Sequence, residues 1–292
     1  MYSFSLIIQV LINGILLGCM YGVAALGLSL IFGSMRIIFI AQGSMLILAA
    51  YMSFWIFKYF GLDPFLSLIL TIPAFMVLGW AMYWGMFRRI ANSPNSSIIL
   101  AFGIMAFLEN GMSVLWSPSA RAVGTSYAGQ SLAFLGLNIS ISRLMVFCLC
   151  IIVTLIVYLF LKKTMWGKAV RSAALDMKAC ALMGASPLKI SALTFAIGIG
   201  LAAIAGACTS VTFAFDPYFG FIFSTKAMIA VAFGGLGNVP GAVVGGIILG
   251  VLEALGAYFI SPGMADAVAY IAFLLVLIFM PEGLFGRSVK KA

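Results

Sequence analysis

The sequence contains no histidine, and only seven of its 292 residues are acidic. Without imidazole it has no histidine general base, histidine metal ligand or histidine proton relay. It also lacks a G-x-x-x-x-G-K-[ST] phosphate loop, because Gly167-Lys168 is followed by Ala169 and has no glycine at the upstream position. There is no G-x-S-x-G nucleophile motif and no paired-carboxylate arrangement. We therefore predict that the chain does not hydrolyse a nucleotide through such a loop and is not an intramembrane enzyme.

Charged residues are scarce throughout the chain. They make up 8% of the residues, against about 25% in soluble domains, whereas hydrophobic residues make up 64%. Such a chain cannot cover its own surface with polar groups in water. We therefore predict an all-α polytopic integral membrane protein in which residues 1–292 form one transmembrane domain. Membrane topology explains the net charge of +9, since the basic residues lie between apolar runs, and we expect no nucleic-acid partner.

Apolar runs long enough to cross a bilayer, about 20 residues, recur along the chain. The predicted spans are about residues 6–33, 37–57, 64–87, 97–117, 144–161, 191–213 and 264–281. The stretch 222–260 is too long for one helix and must cross twice or enter and leave on one side. This gives roughly eight to nine transmembrane helices, including broken or half-spanning ones around 222–260. The interruption lines a translocation pathway or is an ordinary interhelical turn, and its candidate residues are Gly234, Gly235, Gly237 and Asn238.

Basic residues indicate the orientation, because cytoplasmic loops of membrane proteins are enriched in lysine and arginine. We place three clusters in the cytoplasm: Arg88/Arg89, residues 162–189, and Arg287/Lys290/Lys291. The N-terminus then lies outside, the C-terminus is cytoplasmic, and 118–142 is an external loop. Four of the 16 basic residues remain outside, namely Lys58, Arg121, Arg143 and Lys226.

Two acidic residues lie well within predicted spans, where ionisable side chains are candidates for function. Glu109, next to Asn110, and Glu253 have no basic residue three or four positions away. Each is therefore either a hydrogen-bonded packing group or part of the pathway or of a partner interface. Gln42 is a similar polar insertion, for which structural hydrogen bonding is the favoured interpretation.

Small residues recur at helical spacing in several spans. The series are Gly14/Gly18/Gly22, Gly198/Ala202/Gly206 and Gly241/Gly245, the last followed by Gly246/Gly250. Faces of this kind allow membrane helices to approach closely. They predict a compact bundle of many helices.

The longest run of soluble character is the loop 162–190, which carries several basic residues and one acid. Within it we predict a short helix, rich in small side chains, from about Gly167 to Met183, which ends at Gly184 in a left-handed conformation. Ser186 is then predicted to be the N-cap of the next helix, and Pro187 its first residue. This pattern indicates a docking helix between two membrane helices.

Three stretches resemble the LivH-type permeases of branched-chain amino acid ABC importers. They are GLSLIFGSMRIIFIAQGSMLILAAY (27–51), GKAVRSAALDMKACALMGASPLKISALTFAIGIGLAAIAGA (167–207) and KAMIAVAFGGLGNVPGAVVGGIILGVLEAL (226–255), together with the C-terminal MPEGLFG (280–286). The resemblance covers essentially the full length, and its second and third stretches are specific.

The resemblance implies a permease subunit in the bacterial inner membrane that pairs with a second, LivM-like permease. Two cytoplasmic ATPase subunits would bind ATP and Mg²⁺, no cofactor would be bound by this chain, and a periplasmic binding protein would deliver the substrate. The loop 162–190 would then be a coupling loop that docks into a groove of an ATPase. The coupling motif falls on Gly167, Lys168, Ala169, Arg171, Ala174, Asp176, Ala179, Met183 and Gly184.

The chain also departs from the family pattern. Phe39-Ile40-Ala41-Gln42-Gly43 stands where many members carry Asn-Phe-Ala-His-Gly, so an amide replaces a titratable imidazole. Relatives carry branched-chain amino acids, other amino acids, amides or urea, and the substrate stays open among these. The alternative functions are an ion-coupled secondary transporter or channel for a small polar solute, dependent on Glu109 or Glu253, and a membrane scaffold without flux.

Overall fold

The computed structural model describes residues 4–90, 94–127, 129–134, 137–280 and 283–285. Within these residues, eight helical segments are long and apolar enough to cross a membrane, which confirms the all-α polytopic fold. They are formed by α1 (Phe4–Met35), α2 (Gln42–Phe60), α3 (Pro64–Met82), α5 (Pro94–Trp116), α6 (Ile141–Lys163), α9 (Pro187–Thr212), α11 (Val239–Phe259) and α12 (Ala265–Phe279). A π-helical turn (Tyr83–Phe87) and α4 (Arg88–Ile90) extend the span of α3, and a 3₁₀ turn (Pro262–Met264) begins the span of α12. The other helices are α7 (Met165–Leu175), α8 (Met177–Leu182) and α10 (Phe219–Gly234).

Helices α1 and α9 form the centre of the bundle. The most apolar segment of α1 is 83% buried and that of α9 is 89% buried. Their small residues permit this, because a Cβ atom added to Gly206 of α9 would lie 2.2 Å from the Leu46 carbonyl oxygen of α2. A Cβ atom on Gly246 of α11 would lie 2.3 Å from the Gly22 amide nitrogen of α1. The predicted small-residue packing faces are thus confirmed in both places.

The loops fall into two groups at opposite ends of the bundle. At one end, Arg121 and Phe215 exchange backbone hydrogen bonds of 2.9 and 2.8 Å, and the Gln9 amide donates to the Asn138 carbonyl. At the other end, Gly33 lies against Gly237 and Ala174. The predicted external loop and the loop 162–190 therefore lie at opposite ends. The C-terminal cluster Arg287/Lys290/Lys291 lies outside the described residues.

The region 222–260 forms a short helix, α10, followed by a full-length one, α11. A second irregular segment, residues 36–41, lies between α1 and α2, although residues 37–41 were predicted to belong to the span 37–57. Arg36 has a φ of 56°, and α2 begins only at Gln42, within the bundle. Gly43 packs against the start of α10, since its added Cβ would lie 1.9 Å from the Gly220 carbonyl oxygen. Helices α2 and α10 therefore begin side by side inside the protein.

Polar capping sets the turn between α2 and α3. Gly61 ends α2 with a φ of 67°, and the Asp63 carboxylate accepts a hydrogen bond from the Phe65 amide at the start of α3. The same carboxylate accepts a 2.8 Å bond from the Tyr127 hydroxyl in the predicted external loop. Burial, and then the Asp63 carboxylate, raise the pKa of Tyr127 above its usual range, so the phenol stays protonated and keeps donating.

The predicted external loop 118–142 contains more regular structure than its composition indicated. Strands β1 (Ser131–Phe134) and β2 (Leu137–Ser140) pair in antiparallel fashion, with Ser131 opposite Ser140 and Leu132 opposite Ile139. The polar residues that indicated a loop lie mainly before this hairpin. It leads directly into α6, which begins at Ile141.

Candidate functional site

A layer of hydrogen bonds surrounds the point where α2 and α10 begin. The Gly43 amide donates to the Ser224 hydroxyl at 2.8 Å, and this hydroxyl donates to the Ile40 carbonyl. The Gln42 side-chain amide donates to the Gly198 carbonyl of α9 at 3.1 Å. Gln42 is buried, and its side-chain oxygen has no partner among the described residues. The layer thus satisfies the irregular backbone between α1 and α2 with groups from other helices.

Glu109 of α5 lies in the same region, and its carboxylate is held by a residue of α2. The Ser44 hydroxyl at the start of α2 donates to the Glu109 carboxylate at 2.9 Å, across 65 residues of sequence. Glu109 is buried, whereas the adjacent Asn110 is exposed and donates to the Ala106 carbonyl of its own helix. The two residues therefore face different surroundings, and Asn110 points away from the bundle.

A buried ionic cluster joins four helices. The Lys226 ammonium of α10 lies 2.8 Å from the Glu253 carboxylate of α11 and 2.9 Å from the Asp266 carboxylate of α12. It also donates to the Tyr21 hydroxyl of α1 at 3.1 Å, and this hydroxyl donates to Glu253 at 3.3 Å. The side chains of Lys226 and Glu253 are only 9% and 16% exposed, while that of Asp266 is 47% exposed. We call Tyr21, Lys226, Glu253 and Asp266 the ionic cluster.

The count of Lys226 among the basic residues outside was wrong, since Lys226 is buried in the bundle. Lys226 lies within α10, and its partner Glu253 is 27 residues away, beyond the reach of any spacing within one helix. The missed signal was the lysine itself, because a cation between apolar residues of a membrane chain requires a counter-ion. The second oxygen of Glu253 is buried without a partner in the described part of the chain. The cluster therefore carries two carboxylates for one ammonium group.

The glycine-rich interruption between α10 and α11 is a capped interhelical turn. Gly235 and Gly237 have φ values of 88° and 80°, and Gly234 packs directly against Gly241. Asn238 caps α11, since its side-chain oxygen accepts from the Gly241 amide at 3.2 Å, and its amide group donates to the Phe285 carbonyl. The turn lies beside the end of α1 and away from the layer around Gln42. A role of these residues in the pathway stays a prediction.

The loop 162–190 forms two short helices, whereas one was predicted. Asp176 separates α7 from α8 with an extended conformation, and its carboxylate accepts from the Lys178 and Ala179 amides at 2.8 and 3.1 Å. This N-cap starts α8, whereas a single helix was predicted to continue through Asp176. Gly184 has the predicted left-handed conformation, with a φ of 85°, and Pro187 is the first residue of α9. The side chain of Ser186 makes no capping hydrogen bond.

The surface of α7 and α8 is apolar at its tip and charged beside it. Leu175, Leu182 and Met183 are 73%, 89% and 88% exposed, and we call these three residues the apolar tip. Of the predicted coupling residues, several are exposed around it, namely Lys168, Arg171, Asp176, Ala179 and Gly184. Gly167 is instead buried, since an added Cβ would lie 2.1 Å from the Phe160 carbonyl oxygen. Gly167 therefore sets the close junction of α6 and α7.

The cap at Asp176 gives a testable prediction about α8. Asp176→Ala removes the acceptor for two amides and is expected to weaken α8 by about 1 kcal/mol. Hydrogen exchange of residues 177–182 should then accelerate by about fivefold. Asp176→Asn, which keeps a capping oxygen, serves as the control and should exchange almost as slowly as the wild type. Equal exchange in Asp176→Ala and wild type would contradict the assigned cap.

Comparisons with known proteins agree along nearly the whole chain. A family profile described as the permease component of branched-chain amino acid transport systems matches residues 10–277. The chain is 31% identical to the high-affinity branched-chain amino acid transport system permease protein LivH of Salmonella typhimurium, covering 98% of this chain and 97% of that protein. It is 30% identical to the corresponding protein BraD of Pseudomonas aeruginosa, covering 96% of each. No solved structure matches.

Proposed function

Because this chain belongs to the permease family of branched-chain amino acid transport systems, we propose that it forms part of the translocation pathway of an ATP-driven importer. The substrate is a branched-chain or related amino acid, received from a periplasmic binding protein. The chain is a multi-pass transport subunit of the bacterial inner membrane, with its N-terminus outside and its C-terminus in the cytoplasm. The eight segments of the described residues that are long and apolar enough to span a membrane support this assignment, as does the family membership.

The subunit works with other chains that supply energy and complete the pathway. Two cytoplasmic ATPases bind ATP and Mg²⁺, and a second, LivM-like permease pairs with this one in the membrane. The sequence supports the assignment of ATP binding to separate subunits, since it has no G-x-x-x-x-G-K-[ST] loop of its own. The relatives' names, which describe a permease component of a transport system, support the same arrangement.

The apolar tip is the observation that carries the proposal. Large apolar side chains at the polar end of a membrane protein lie outside the region where lipid tails would cover them. Exposed apolar patches on such surfaces mark protein contacts. Leu182 and Met183 stand at the end of α8, in a loop that also carries the exposed basic residues Lys168, Arg171 and Lys178. An ATPase groove with apolar lining and an acidic rim fits this surface.

The connection to the membrane is short and constrained. The Ala185 amide donates to the Cys180 carbonyl and the Gly184 amide to the Ala181 carbonyl, so the chain turns sharply after α8. Pro187 then begins α9, the most buried spanning helix of the described chain. Ala174 of α7 also lies beside Gly33 at the end of α1. Movement of the docked ATPase therefore acts directly on the two central helices.

Disrupting the apolar tip tests the proposal. Leu182→Asp combined with Met183→Asp is expected to reduce the amount of ATPase that co-purifies with the permeases by about tenfold or more, because burying each side chain contributes about 1.5–3 kcal/mol. Leu182→Met combined with Met183→Leu keeps the surface apolar and is the matched control. Undiminished ATPase capture by the aspartate variant would contradict the assignment of the docking surface.

The buried ionic cluster favours a second candidate, an ion-coupled carrier. The two functions differ in their energy source, which is measured in proteoliposomes containing the permeases with and without the ATPases. An importer requires ATP and continues after ion gradients are collapsed by ionophores. Uptake without ATPases that stops when the gradient is collapsed would favour the ion-coupled carrier instead.

A further inference from the structure

An aromatic cluster surrounds Arg121 at the end of the bundle that carries the predicted external loop. The ring of Tyr51 stacks on that of Trp116 with a centroid distance of 4.8 Å and meets the edge of Phe215 at 5.0 Å. The Arg121 guanidinium lies over the ring of Trp55 at 5.3 Å and over that of Phe54 at 5.4 Å. One of its terminal nitrogens donates to the Trp116 carbonyl. Helices α2 and α5 and the external loop therefore meet around one cation.

Three hydrogen-bond donors in this cluster have no partner in the described part of the chain. They are the Tyr51 hydroxyl, the Trp55 indole nitrogen and the Arg121 Nε, and all three atoms are buried. An unpaired buried donor is destabilising, and most native structures contain few of them. Trp116 connects the three, because it stacks on Tyr51, lies 6.5 Å from Trp55 and accepts from Arg121. The presence of three unpaired donors in one cluster indicates that they bind the same ligand group.

The charges around the cluster specify what its donors would bind. No carboxylate of the described residues lies within ion-pair distance of Arg121, so its positive charge lacks a counter-ion. Asp216 directly follows Phe215, whose ring contacts Tyr51 and whose backbone pairs with that of Arg121, and Glu109 lies on α5 two turns before Trp116. Unpaired donors beside a guanidinium suit a carboxylate, and nearby acids suit an ammonium group. The arrangement matches the two charged ends of an amino acid.

We propose that Tyr51, Trp55 and Arg121 form a transient binding site for the α-carboxylate of the amino acid as it enters the permease. The proposal rests on the proposed function, since it assigns a step to the imported substrate. Asp216 and Glu109 lie towards the ammonium group, and the rings of Trp116 and Phe215 face the aliphatic side chain. In this structure all three donor atoms are buried among the rings of the cluster.

The burial of the Tyr51 side chain favours a small ligand over a side chain of the binding protein. Tyr51 is completely buried, and the rings of Trp116 and Phe215 pack against its own ring. A carboxylate must therefore pass between the aromatic rings to reach the Tyr51 hydroxyl. A free amino acid can do so, whereas an acidic side chain of a docked protein reaches only the surface.

Tyr51→Phe provides the test, because it removes a hydroxyl that has no partner and leaves the ring in place. Uptake is measured in proteoliposomes with the complete transporter and saturating, substrate-loaded binding protein. We expect the maximal uptake rate to fall by about tenfold, with the unfolding temperature unchanged or slightly raised. Tyr59→Phe, the same change at an exposed residue of α2, is the matched control and should transport as the wild type does. Arg121→Lys keeps the charge but removes Nε, and it should also lower the rate.

The measurements separate this assignment from its alternatives. An unchanged uptake rate in Tyr51→Phe overturns it, as does a lowered unfolding temperature that accounts for the lost activity. Weaker capture of the loaded binding protein by the variant would instead place a partner's carboxylate at the site, and this outcome also overturns it. A wild-type complex that imports no amino acid overturns the proposed function itself. Wild-type activity with an unaffected Tyr51→Phe variant overturns only the carboxylate site.

Discussion

Lys226→Met is expected to destabilise the protein by about 3–5 kcal/mol, because it leaves the largely buried Glu253 carboxylate without its cation. The Lys226 ammonium contacts Glu253, Asp266 and Tyr21 at once, and its side chain is only 9% exposed. Methionine fills a similar volume but neutralises none of these groups. Denaturation of the purified protein in detergent, followed by tryptophan fluorescence or circular dichroism, measures the change.

A double variant separates the loss of charge balance from the loss of packing. Lys226→Met combined with Glu253→Gln removes both buried charges, so it is expected to recover most of the lost stability. Asp266→Asn alone should have a much smaller effect, because the Asp266 side chain is 47% exposed and water can solvate it. A Lys226→Met variant as stable as the wild type would show that the ionic cluster does not hold α10, α11 and α12 together.

Gly246→Leu is expected to destabilise the protein by about 3 kcal/mol or more, at the upper end of the usual range for overpacking. A Cβ atom at this position would lie 2.3 Å from the Gly22 amide nitrogen, 2.5 Å from the Gly22 Cα and 2.9 Å from the Gly18 carbonyl oxygen. These are backbone atoms, which cannot rotate away as a side chain can. The change must therefore separate α1 from α11. Size-exclusion profiles and unfolding temperatures of the extracted protein measure the effect.

Gly111→Leu is the matched control for this experiment. Gly111 also lies in a membrane-spanning helix, α5, but an added Cβ would meet no described atom within 4 Å. The control is therefore expected to fold as the wild type does. Equal unfolding temperatures of Gly246→Leu and Gly111→Leu would contradict the close approach of α1 and α11.

Both experiments concern contacts that connect the central helices to the periphery. The glycines join α1 to α11, and the ionic cluster then joins α11 to α10 and α12 and returns to α1 through Tyr21. Under the coupling role proposed for α7 and α8, movement of α1 or α9 would reach the other helices through packed backbone and paired charges. Loosening either contact should reduce coupled transport before it abolishes membrane insertion.

Local features of the sequence were sufficient for the class of protein and for several of its turns. The scarcity of charge requires a membrane environment, because nothing else would cover so much apolar surface. Gly184 and Pro187 were placed correctly, since a left-handed residue and a first-turn proline depend on backbone conformation at one position. The small residues of α1, α9 and α11 predicted close packing because their spacing marks one face of a helix.

The tertiary structure alone decided which distant side chains meet. Lys226 was counted among the basic residues outside, but it lies at the centre of the ionic cluster. Glu109 accepts a hydrogen bond from Ser44, 65 residues away in the sequence. The burial of Gly167 also depends on how closely α6 and α7 meet. Sequence spacing reports neighbours within one helix, three or four residues apart. The depth and rotation of each helix against the others determine all remaining contacts, and these are set only when the whole bundle has assembled.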